Sequence, residues 1–382
     1  MSKLYLFLST ILLMTFNFYG QQQINKTLFF DGHNRSYIIY IPASYDGTTD
    51  YPLLFSFHGG SDDGQAMIGL NDMRPIADTA NFIAIYPSGS DGAWMHKVPT
   101  TYNDIYFVEA IIDTLNLEFN VDNDRIYACG YSEGGIFSYE LACRLSNRIA
   151  AVASVSGSMM TDIYRNNPAP NGYGFPVCSP SHPTAIMFIP GTVDMNPHSM
   201  YSGFSPYYMS ASEISTYWST QNNTDNVPII SQLPNINTSD GSTVQRRVWE
   251  NGDNCVRVEE LKVIGGDHDW PGTFGNMDIS ASAEIWNFVS KYDINGLINC
   301  ASTNVISTND LEIKIFPNPT SNFITINTLA KGNLSYSIFS AIGKMVMKGS
   351  INTLNPKINI SNLEPQLYIL MIDGSSYKII KK

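Results

Sequence analysis

The chain has 382 residues, a formal net charge of −12 and a pI near 4.8. This length is sufficient for two domains, at least one of them with a substantial core. The acidic balance and the lack of a Lys/Arg cluster argue against nucleic acid or an anionic membrane surface as a partner.

The first residues are typical of a secretory signal peptide. Lys3 precedes an apolar run from Leu4 to Phe16, and polar residues begin at Gln21. The run is too short to cross a bilayer, and no other stretch is long and apolar enough to do so. We therefore predict a signal peptide at residues 1–20, and a mature protein without a transmembrane segment.

Residues 21–299 alternate between apolar runs of strand length and segments with apolar residues at helical spacing, such as Phe107–Leu117 and Ile279–Val289. This alternation predicts an α/β domain with a mostly parallel central sheet. Two long polar segments, Ser158–Pro183 and Met195–Glu213, directly follow strands, where loops surround the site in such sheets. The predicted strands are Ser36–Ile41, Leu53–Phe57, Phe82–Tyr86, Ile126–Cys129, Ala150–Val155, Ala185–Ile189 and Val256–Ile264.

The segment Gly130–Gly134 has the sequence Gly-Tyr-Ser-Glu-Gly, a G-x-S-x-G motif directly after a predicted strand. Its two glycines let a strand turn sharply into a helix, and the serine between them takes a strained, exposed conformation. The next residues, Gly135–Leu145, have apolar side chains at helical spacing. The context predicts a nucleophile elbow at Ser132; the alternative is a serine that only caps the helix.

A serine nucleophile needs a general base and an acid that orients this base. Asp194 follows the predicted strand Ala185–Ile189, and His268 follows the last predicted strand, within the segment Gly265–Gly272. The chain order Ser, Asp, His is that of α/β-hydrolases. His198, four residues after Asp194, is an alternative base or a substrate contact.

The reaction also needs backbone N–H groups that bind the oxyanion. His58, Gly59 and Gly60 end the predicted strand Leu53–Phe57 and resemble the His-Gly-Gly element of serine hydrolases. We expect an N–H near Gly60 and the N–H of Glu133 to form the oxyanion hole.

These motifs together resemble the secreted polyhydroxybutyrate depolymerase and feruloyl esterase group, which comprises carbohydrate esterase family 1 and its relatives. The resemblance implies an α/β-hydrolase that needs no cofactor or metal, with Ser132 as nucleophile, Asp194 orienting the base and His268 as base. Asp267 departs from the family, which has glycine beside the base. The matching segments, within about Phe29–Val289, are Phe57–Gly60, Tyr86–Gly89, Gly130–Gly135, Leu141–Val155, Gly191–Asp194 and Gly265–Gly272.

Aromatic side chains on loops near the predicted site are candidates for a platform that binds a sugar ring or a phenolic acyl group. Trp270 is the strongest, because it lies two residues from His268. Packing in the core is the competing interpretation. His58 is also predicted to contact substrate. The aromatic candidates are Trp94, Tyr131, Tyr201, Tyr207, Tyr208 and Trp270.

Export makes the five cysteines candidates for disulfides, with one left over. If Ser132 lies in an elbow, Cys143 and Cys178 both fall at the sheet end opposite the site. Cys255 and Cys300 fall at the same end. We predict the pairs Cys143 with Cys178 and Cys255 with Cys300, and a buried free thiol at Cys129; the spacing does not exclude other pairings.

Beyond a linker at residues 300–310, residues 311–382 contain short alternating strands, which predict a small all-β sandwich. The segments Phe316–Pro319, Ile342–Lys344, Ile360–Ile372 and Lys378–Lys382 resemble the sorting domains of Bacteroidetes proteins exported by the type IX system. The resemblance implies passage through the periplasm and outer membrane, followed by release or surface attachment. A carbohydrate-binding or spacer module is the alternative. The predicted strands are Glu312–Phe316, Phe323–Asn327, Leu334–Phe339, Lys344–Lys348, Lys357–Ile360 and Leu367–Ile372.

The sequence therefore predicts a secreted serine esterase whose partners are a polysaccharide-linked or polymeric ester and the type IX secretion machinery. Acyl or feruloyl esters on plant or algal polysaccharide are the favoured substrates. An aliphatic polyester such as polyhydroxybutyrate is the close alternative. A non-catalytic, glycan-binding hydrolase relative is the alternative from another functional class.

Overall fold

The computed structural model describes residues 21–94, 104–168, 172–300, 314–327, 333–340, 344–352, 356–372 and 375–382. The chain divides into two units, Met1–Cys300 and Ala301–Lys382. The predicted signal peptide lies outside the described residues, as does the predicted linker after Cys300. The predicted domain boundaries stay predictions.

A ten-stranded mixed sheet is the framework of the first unit, in the order β1-β2-β4-β3-β5-β6-β7-β10-β9-β8. The six strands from β4 to β10 run parallel, and antiparallel strands flank them on both sides. The strands are β1 (Gln22–Phe30), β2 (His33–Ile41), β3 (Tyr51–Phe57), β4 (Ile83–Pro87), β5 (Val121–Tyr131), β6 (Ala151–Val155), β7 (Ala185–Ile189), β8 (Ile229–Gln232), β9 (Thr243–Trp249) and β10 (Val258–Ile264).

Helices follow or separate these strands. The described helices of the first unit are α1 (Gly64–Leu70), α2 (Arg74–Ala80), α3 (Asp104–Glu118), α4 (Glu133–Arg144), α5 (Asp162–Asn166), α6 (Ala211–Gln221) and α7 (Ala281–Val289). A single 3₁₀ turn spans Asp253–Cys255. A small hairpin of β11 (Tyr292–Asp293) and β12 (Gly296–Leu297) follows α7.

Both faces of the sheet are buried at strands β3, β4, β6 and β7. Successive residues of these strands point to opposite sides, and nearly all of them are apolar. In β3, Leu53 and Phe55 belong to one core together with residues of α3, α4 and α6. Leu54 belongs to the other core together with residues of α1, α2 and α7. This double coverage explains why the central strands are continuous apolar runs in the sequence.

All seven predicted strands of the first unit are present, and the prediction of a mostly parallel α/β sheet is confirmed. Strands β1, β8 and β9 are not among the predicted strands, and they lie outside the parallel centre. Every residue of β8 is exposed, and β1 alternates exposed and half-buried residues. Such edge strands lack the continuous apolar run that marks a buried strand.

Two disulfides join the pairs that the sequence analysis predicts. Cys143 is bonded to Cys178, and Cys255 is bonded to Cys300. Cys129 in β5 is a buried free thiol. Both predicted bonds are therefore confirmed, as is the free cysteine beneath the serine motif.

The second unit is all-β, as predicted. Its core consists of alternate strand residues, mostly isoleucines, such as Ile324, Ile338 and Ile358. One sheet has the order β13-β14-β17 and the other β16-β15-β18-β19. The strands are β13 (Lys314–Phe316), β14 (Phe323–Asn327), β15 (Asn333–Ser340), β16 (Met345–Asn352), β17 (Lys357–Asn359), β18 (Leu367–Ile372) and β19 (Ser375–Ile380), of which β19 was not predicted.

Candidate active site

Ser132 occupies the turn between β5 and α4 with φ of 52° and ψ of −114°, a strained conformation for a residue with a side chain. Close backbone packing enforces this turn. A Cβ at Gly130 would lie 2.2 Å from the carbonyl carbon of Gly134, and a Cβ at Gly134 would lie 2.1 Å from the Phe57 carbonyl oxygen. Only glycine fits at either position, so the two glycines fix the serine between them.

Three polar side chains from separate strand ends meet at this turn. The Oγ of Ser132 lies 2.9 Å from Nε2 of His268, and Nδ1 of His268 lies 2.8 Å from Oδ2 of Asp194. In the described chain, Ser132 makes no side-chain hydrogen bond that caps α4, so its hydroxyl faces the imidazole instead. The order serine, imidazole, carboxylate is the geometry of a nucleophile, a base and an orienting acid.

The carboxylate of Asp194 is buried and receives several hydrogen bonds. The Asn196 N–H donates to Oδ1 at 2.8 Å, and the Ser199 hydroxyl donates to Oδ2 at 2.6 Å. Burial raises the pKa of Asp194, but the hydrogen bonds from His268, Ser199 and Asn196 together outweigh it, so the pKa lies below its usual value. The carboxylate is therefore ionised at neutral pH, as an acid that orients a base must be.

The loop that carries His268 is held by its neighbours through backbone atoms. The Tyr131 hydroxyl donates to the carbonyl oxygen of His268 at 2.7 Å, and the Ser156 hydroxyl donates to that of Asp269 at 2.8 Å. Asp267, the departure from the family motif, accepts the His268 N–H at 2.9 Å. These bonds place the imidazole over the serine.

His58 holds the loop that contains Gly59 and Gly60. Its Nε2 accepts the Gly89 N–H at 2.8 Å, so Nδ1 carries the proton and donates to the Gly59 carbonyl at 2.7 Å. Burial lowers the pKa of His58, in agreement with a neutral ring. Because His58 is fully buried, the prediction that it contacts substrate is wrong; the side chain positions the glycine loop instead.

A cleft of about 310 Å³ opens over Ser132. We call it the Ser132 cleft. Gly60 and Glu133, the predicted oxyanion residues, lie on its wall beside the serine. Its lining residues are Gly59, Gly60, Asp62, Tyr131, Ser132, Glu133, Asn196, His198 and His268.

The predicted aromatic platform is wrong for its two tryptophans, because both are completely buried. Trp94 stacks on Phe137 at 4.8 Å and donates its ring N–H to the His58 carbonyl. Trp270 packs in the core, and its ring N–H donates to the Ser282 hydroxyl at 3.3 Å. Their indole rings support the walls of the site from behind, and the interpretation as core residues is the correct one.

The tyrosine candidates have separate locations. Tyr131 lines the Ser132 cleft, with its ring 5.0 Å from that of His268. Tyr201 instead directs its hydroxyl to Glu260 at 2.9 Å, and its ring lies under the Lys262 ammonium, outside the lining of the cleft. Of the predicted substrate contacts, Tyr131 and His198 line the Ser132 cleft.

Sequence reasoning missed three polar residues of the site. Asn196 and Ser199 bond to Asp194, and Asp62 lines the cleft. Their one sequence signal is position: they follow a strand end or the His58–Gly60 segment by a few residues. Among the described side chains, no group of three or more His, Cys, Asp or Glu is arranged to hold a metal ion.

Comparison with known proteins finds esterases among the relatives of this chain. A bifunctional acetylxylan esterase/xylanase of Neocallimastix patriciarum is 27% identical over 272 residues, which are 71% of this chain and 35% of that protein. Feruloyl esterase D of Neurospora crassa is 25% identical over 142 residues, 34% of this chain and 48% of that protein. The chain thus covers between about a third and a half of these curated relatives.

The fold has a solved counterpart. The acetyl xylan esterase from Aspergillus awamori superposes with a TM-score of 0.50 at 15% identity, over 70% of this chain and 99% of that structure. At this identity the likeness establishes the fold alone. The predicted α/β-hydrolase fold and the resemblance to the feruloyl and acetylxylan esterases are both confirmed.

Residues 314–382 match the family described as the secretion system C-terminal sorting domain. The match confirms the predicted sorting domain, and with it export to the medium or the cell surface. No helix among the described residues is long and apolar enough to cross a membrane.

Proposed function

We propose that residues 21–299 form a secreted serine esterase that hydrolyses carboxylic esters through an acyl-enzyme on Ser132. One observation supports this most directly: the Ser132 Oγ lies 2.9 Å from His268 Nε2, while the opposite ring nitrogen lies 2.8 Å from the buried carboxylate of Asp194. This arrangement removes a proton from the hydroxyl as it attacks a carbonyl. The esterase names of the relatives support the same reaction class.

The first half of the reaction transfers the acyl group to the enzyme. Nε2 of His268 takes the hydroxyl proton while Oγ of Ser132 bonds to the ester carbonyl carbon. The oxyanion faces the backbone N–H groups near Gly60 and of Glu133. The tetrahedral intermediate then expels the alcohol, which receives the proton from His268, and the acyl group stays on Ser132.

The second half releases the acid. Water, deprotonated by His268, attacks the acyl carbonyl, and the bond to Oγ breaks as His268 returns a proton to it. Asp194 stays ionised throughout and stabilises the protonated imidazole. Each cycle consumes one water and yields an alcohol and a carboxylic acid, with no further reactant.

The decisive experiment compares wild-type protein with Ser132→Ala in the hydrolysis of p-nitrophenyl acetate. We expect kcat/KM to fall by at least about a thousandfold, as when the nucleophile of other serine hydrolases is removed. Ser138→Ala is the matched control. It removes a buried hydroxyl from α4, the helix that follows Ser132, and this hydroxyl bonds only to the Gly134 carbonyl. A Ser132→Ala variant as active as Ser138→Ala, or an inactive wild type, would refute the proposal.

The proposed natural substrates are acetyl or feruloyl esters on plant or algal polysaccharide. The names of the relatives support both acyl groups, and a cleft of about 310 Å³ suits a group of this size. Release of acetate or ferulate from acetylated and feruloylated xylan tests the assignment. Release of hydroxybutyrate from polyhydroxybutyrate, with neither xylan hydrolysed, would replace it with the polyester alternative.

The second unit is proposed to act through the type IX secretion machinery, which recognises it and removes it at the outer membrane. The match to a sorting domain supports this partner. Deletion of residues 314–382 in a host with this machinery should leave esterase activity in the periplasm, whereas the full chain delivers it outside the cell. Equal extracellular activity from both chains would contradict the proposal.

A further inference from the structure

The turn after Asp194 brings a second serine to the far side of the imidazole. Ser199 is buried, with 4% of its surface exposed. Its Oγ lies 2.6 Å from Oδ2 of Asp194 and 2.9 Å from Nδ1 of His268. Nδ1 itself lies 2.8 Å from the same carboxylate oxygen. These three atoms form a closed triangle on the side of the ring that faces away from Ser132.

The positions of the hydrogens follow from the available donors and acceptors. Oδ2 of Asp194 is ionised and can only accept, so the Ser199 hydroxyl donates to it along the shorter contact. The Nδ1–H of His268 then points between two acceptors, Oδ2 and the lone pair of the Ser199 Oγ. Oδ1 of Asp194 accepts from the Asn196 N–H at 2.8 Å. Both carboxylate oxygens are therefore held by donors of one short turn.

We propose that Ser199 is a positioning residue of the acid–base system, which fixes the plane of the Asp194 carboxylate and gives the protonated His268 a second acceptor at Nδ1. The inference rests on the proposed function of Ser132 and His268. The imidazole gains a proton during attack on the ester, and its Nδ1–H then carries more positive charge. An oriented carboxylate and a nearby hydroxyl oxygen stabilise that charge without reorganisation.

The turn itself does not depend on the Ser199 hydroxyl. The Ser199 backbone N–H already closes the turn by donating to the Asn196 carbonyl at 2.9 Å, and an alanine keeps this bond. The hydroxyl approaches the same carbonyl only at 3.5 Å, the longest of its contacts. Loss of the hydroxyl should therefore leave the turn in place and affect chiefly Asp194 and His268.

The test is a set of four variants assayed with p-nitrophenyl acetate, with the acylation burst used to count active sites. We expect Ser199→Ala to lower kcat on the order of tenfold with KM within twofold, because it removes one hydrogen bond to a charged group. Ser199→Thr keeps a hydroxyl, and Ser199→Val has the shape of threonine without the hydroxyl. The Ser199→Thr variant should retain at least several times the kcat of the Ser199→Val variant.

Ser158→Ala is the matched control. Ser158 is as buried as Ser199, but its hydroxyl donates to the Met209 carbonyl at 2.7 Å. It should keep kcat within about twofold of wild type. Equal kcat in Ser199→Ala and wild type, an equal loss in Ser158→Ala, or equal activity of the Thr and Val variants would overturn the proposal. If Ser199→Ala does not fold, the comparison of Thr with Val decides.

A second measurement does not depend on turnover. In the proton spectrum of protein labelled with ¹⁵N-histidine, the Nδ1–H of His268 should resonate far downfield in wild type and Ser158→Ala. It should move upfield or broaden in Ser199→Ala, and an unchanged resonance in that variant counts against the proposal. A wild type without esterase activity but with the expected spectral change refutes the proposed function and leaves the Ser199 geometry intact.

Discussion

The two halves of the candidate site are held by opposite means. The nucleophile half is fixed by glycines, since Gly130 and Gly134 lie so close to neighbouring backbone that no Cβ fits. The acid–base half is fixed by side-chain hydrogen bonds, because the hydroxyls of Tyr131 and Ser199 bond to His268 and Asp194. The first device depends on steric exclusion and the second on single hydrogen bonds, so they should respond differently to substitution.

The largest effect is expected at Gly134. In Gly134→Ala the new methyl group would approach the Phe57 carbonyl oxygen to 2.1 Å, so the elbow or the neighbouring strand must move. We expect esterase activity to fall by more than about a thousandfold, or the protein not to fold, because Ser132 leaves its productive geometry. Activity per folded molecule and circular dichroism measure both outcomes.

Gly69→Ala is the control for this substitution. Gly69 lies in α1, and a Cβ there would meet no atom within 4 Å beyond its chain neighbours and the backbone of its own helix. Alanine is a better helix former, so the variant should be unchanged in activity and more stable by up to about 1 kcal/mol. A Gly134→Ala protein as active as Gly69→Ala would remove steric exclusion as the cause of the elbow.

This difference also explains what could be predicted from sequence. A close backbone approach requires glycine at fixed spacing, so the elbow at Gly130–Gly134 leaves a motif, and buried parallel strands leave apolar runs. A hydroxyl that meets a carboxylate across a turn leaves no pattern, which is why Ser199 was missed. Trp94 and Trp270 were misplaced because loop position predicts neither the direction nor the burial of a ring.

A buried ion pair should give the next largest effect. Arg165 in α5 and Glu140 in α4 are both completely buried, with 2.7 Å between the guanidinium and the carboxylate. The Arg165 guanidinium also donates to the Met160 carbonyl at 3.2 Å. Two residues earlier, the Ser158 N–H donates to the His198 carbonyl at 2.8 Å, so the ion pair supports the segment that holds the loop with Ser199. Arg165→Met should destabilise the fold by about 3–5 kcal/mol, since Glu140 stays buried without its partner. Urea-induced unfolding measures the change in the free energy of unfolding.

The exposed pair of Arg148 and Asp113, at 3.0 Å, provides the contrast. Arg148→Met should change the free energy of unfolding by no more than about 1 kcal/mol. Adding Glu140→Met to Arg165→Met should recover part of the lost stability, because no unpaired carboxylate is then buried. Equal destabilisation by Arg165→Met and Arg148→Met would show that the buried pair of Arg165 and Glu140 does not stabilise this region more than an exposed pair does.

Tyr131 connects the two halves, because it belongs to the elbow and its hydroxyl donates to the His268 carbonyl at 2.7 Å. Tyr131→Phe keeps the ring in the Ser132 cleft and removes only this bond. We expect kcat to fall about three- to tenfold, in proportion to a hydrogen bond worth about 1 kcal/mol. Tyr217→Phe removes a similar bond, to the Cys178 carbonyl at 3.1 Å, and should leave kcat unchanged.

The smallest effect concerns Cys129, in the strand beneath the elbow. Burial raises the pKa of its thiol from 9.0 to about 12, although hydrogen bonds with Ser56 and Asn71 lower it in part. The folded protein therefore keeps the thiol neutral, while the unfolded chain ionises it above about pH 9. This contribution to stability is complete below pH 9 and is lost as the pH rises toward 12.

Between pH 9 and 10, wild type should lose up to about 1.4 kcal/mol more unfolding free energy than Cys129→Ala, which has no thiol to ionise. At pH 8 the native protein should not react with Ellman's reagent, and the denatured, unreduced protein should expose one thiol, since four of the five cysteines are in disulfides. A thiol that reacts in the native state would mean that β5 opens beneath Ser132. In that case close packing does not keep the nucleophile half rigid. The proposed difference between this half and the hydrogen-bonded acid–base half would then be wrong.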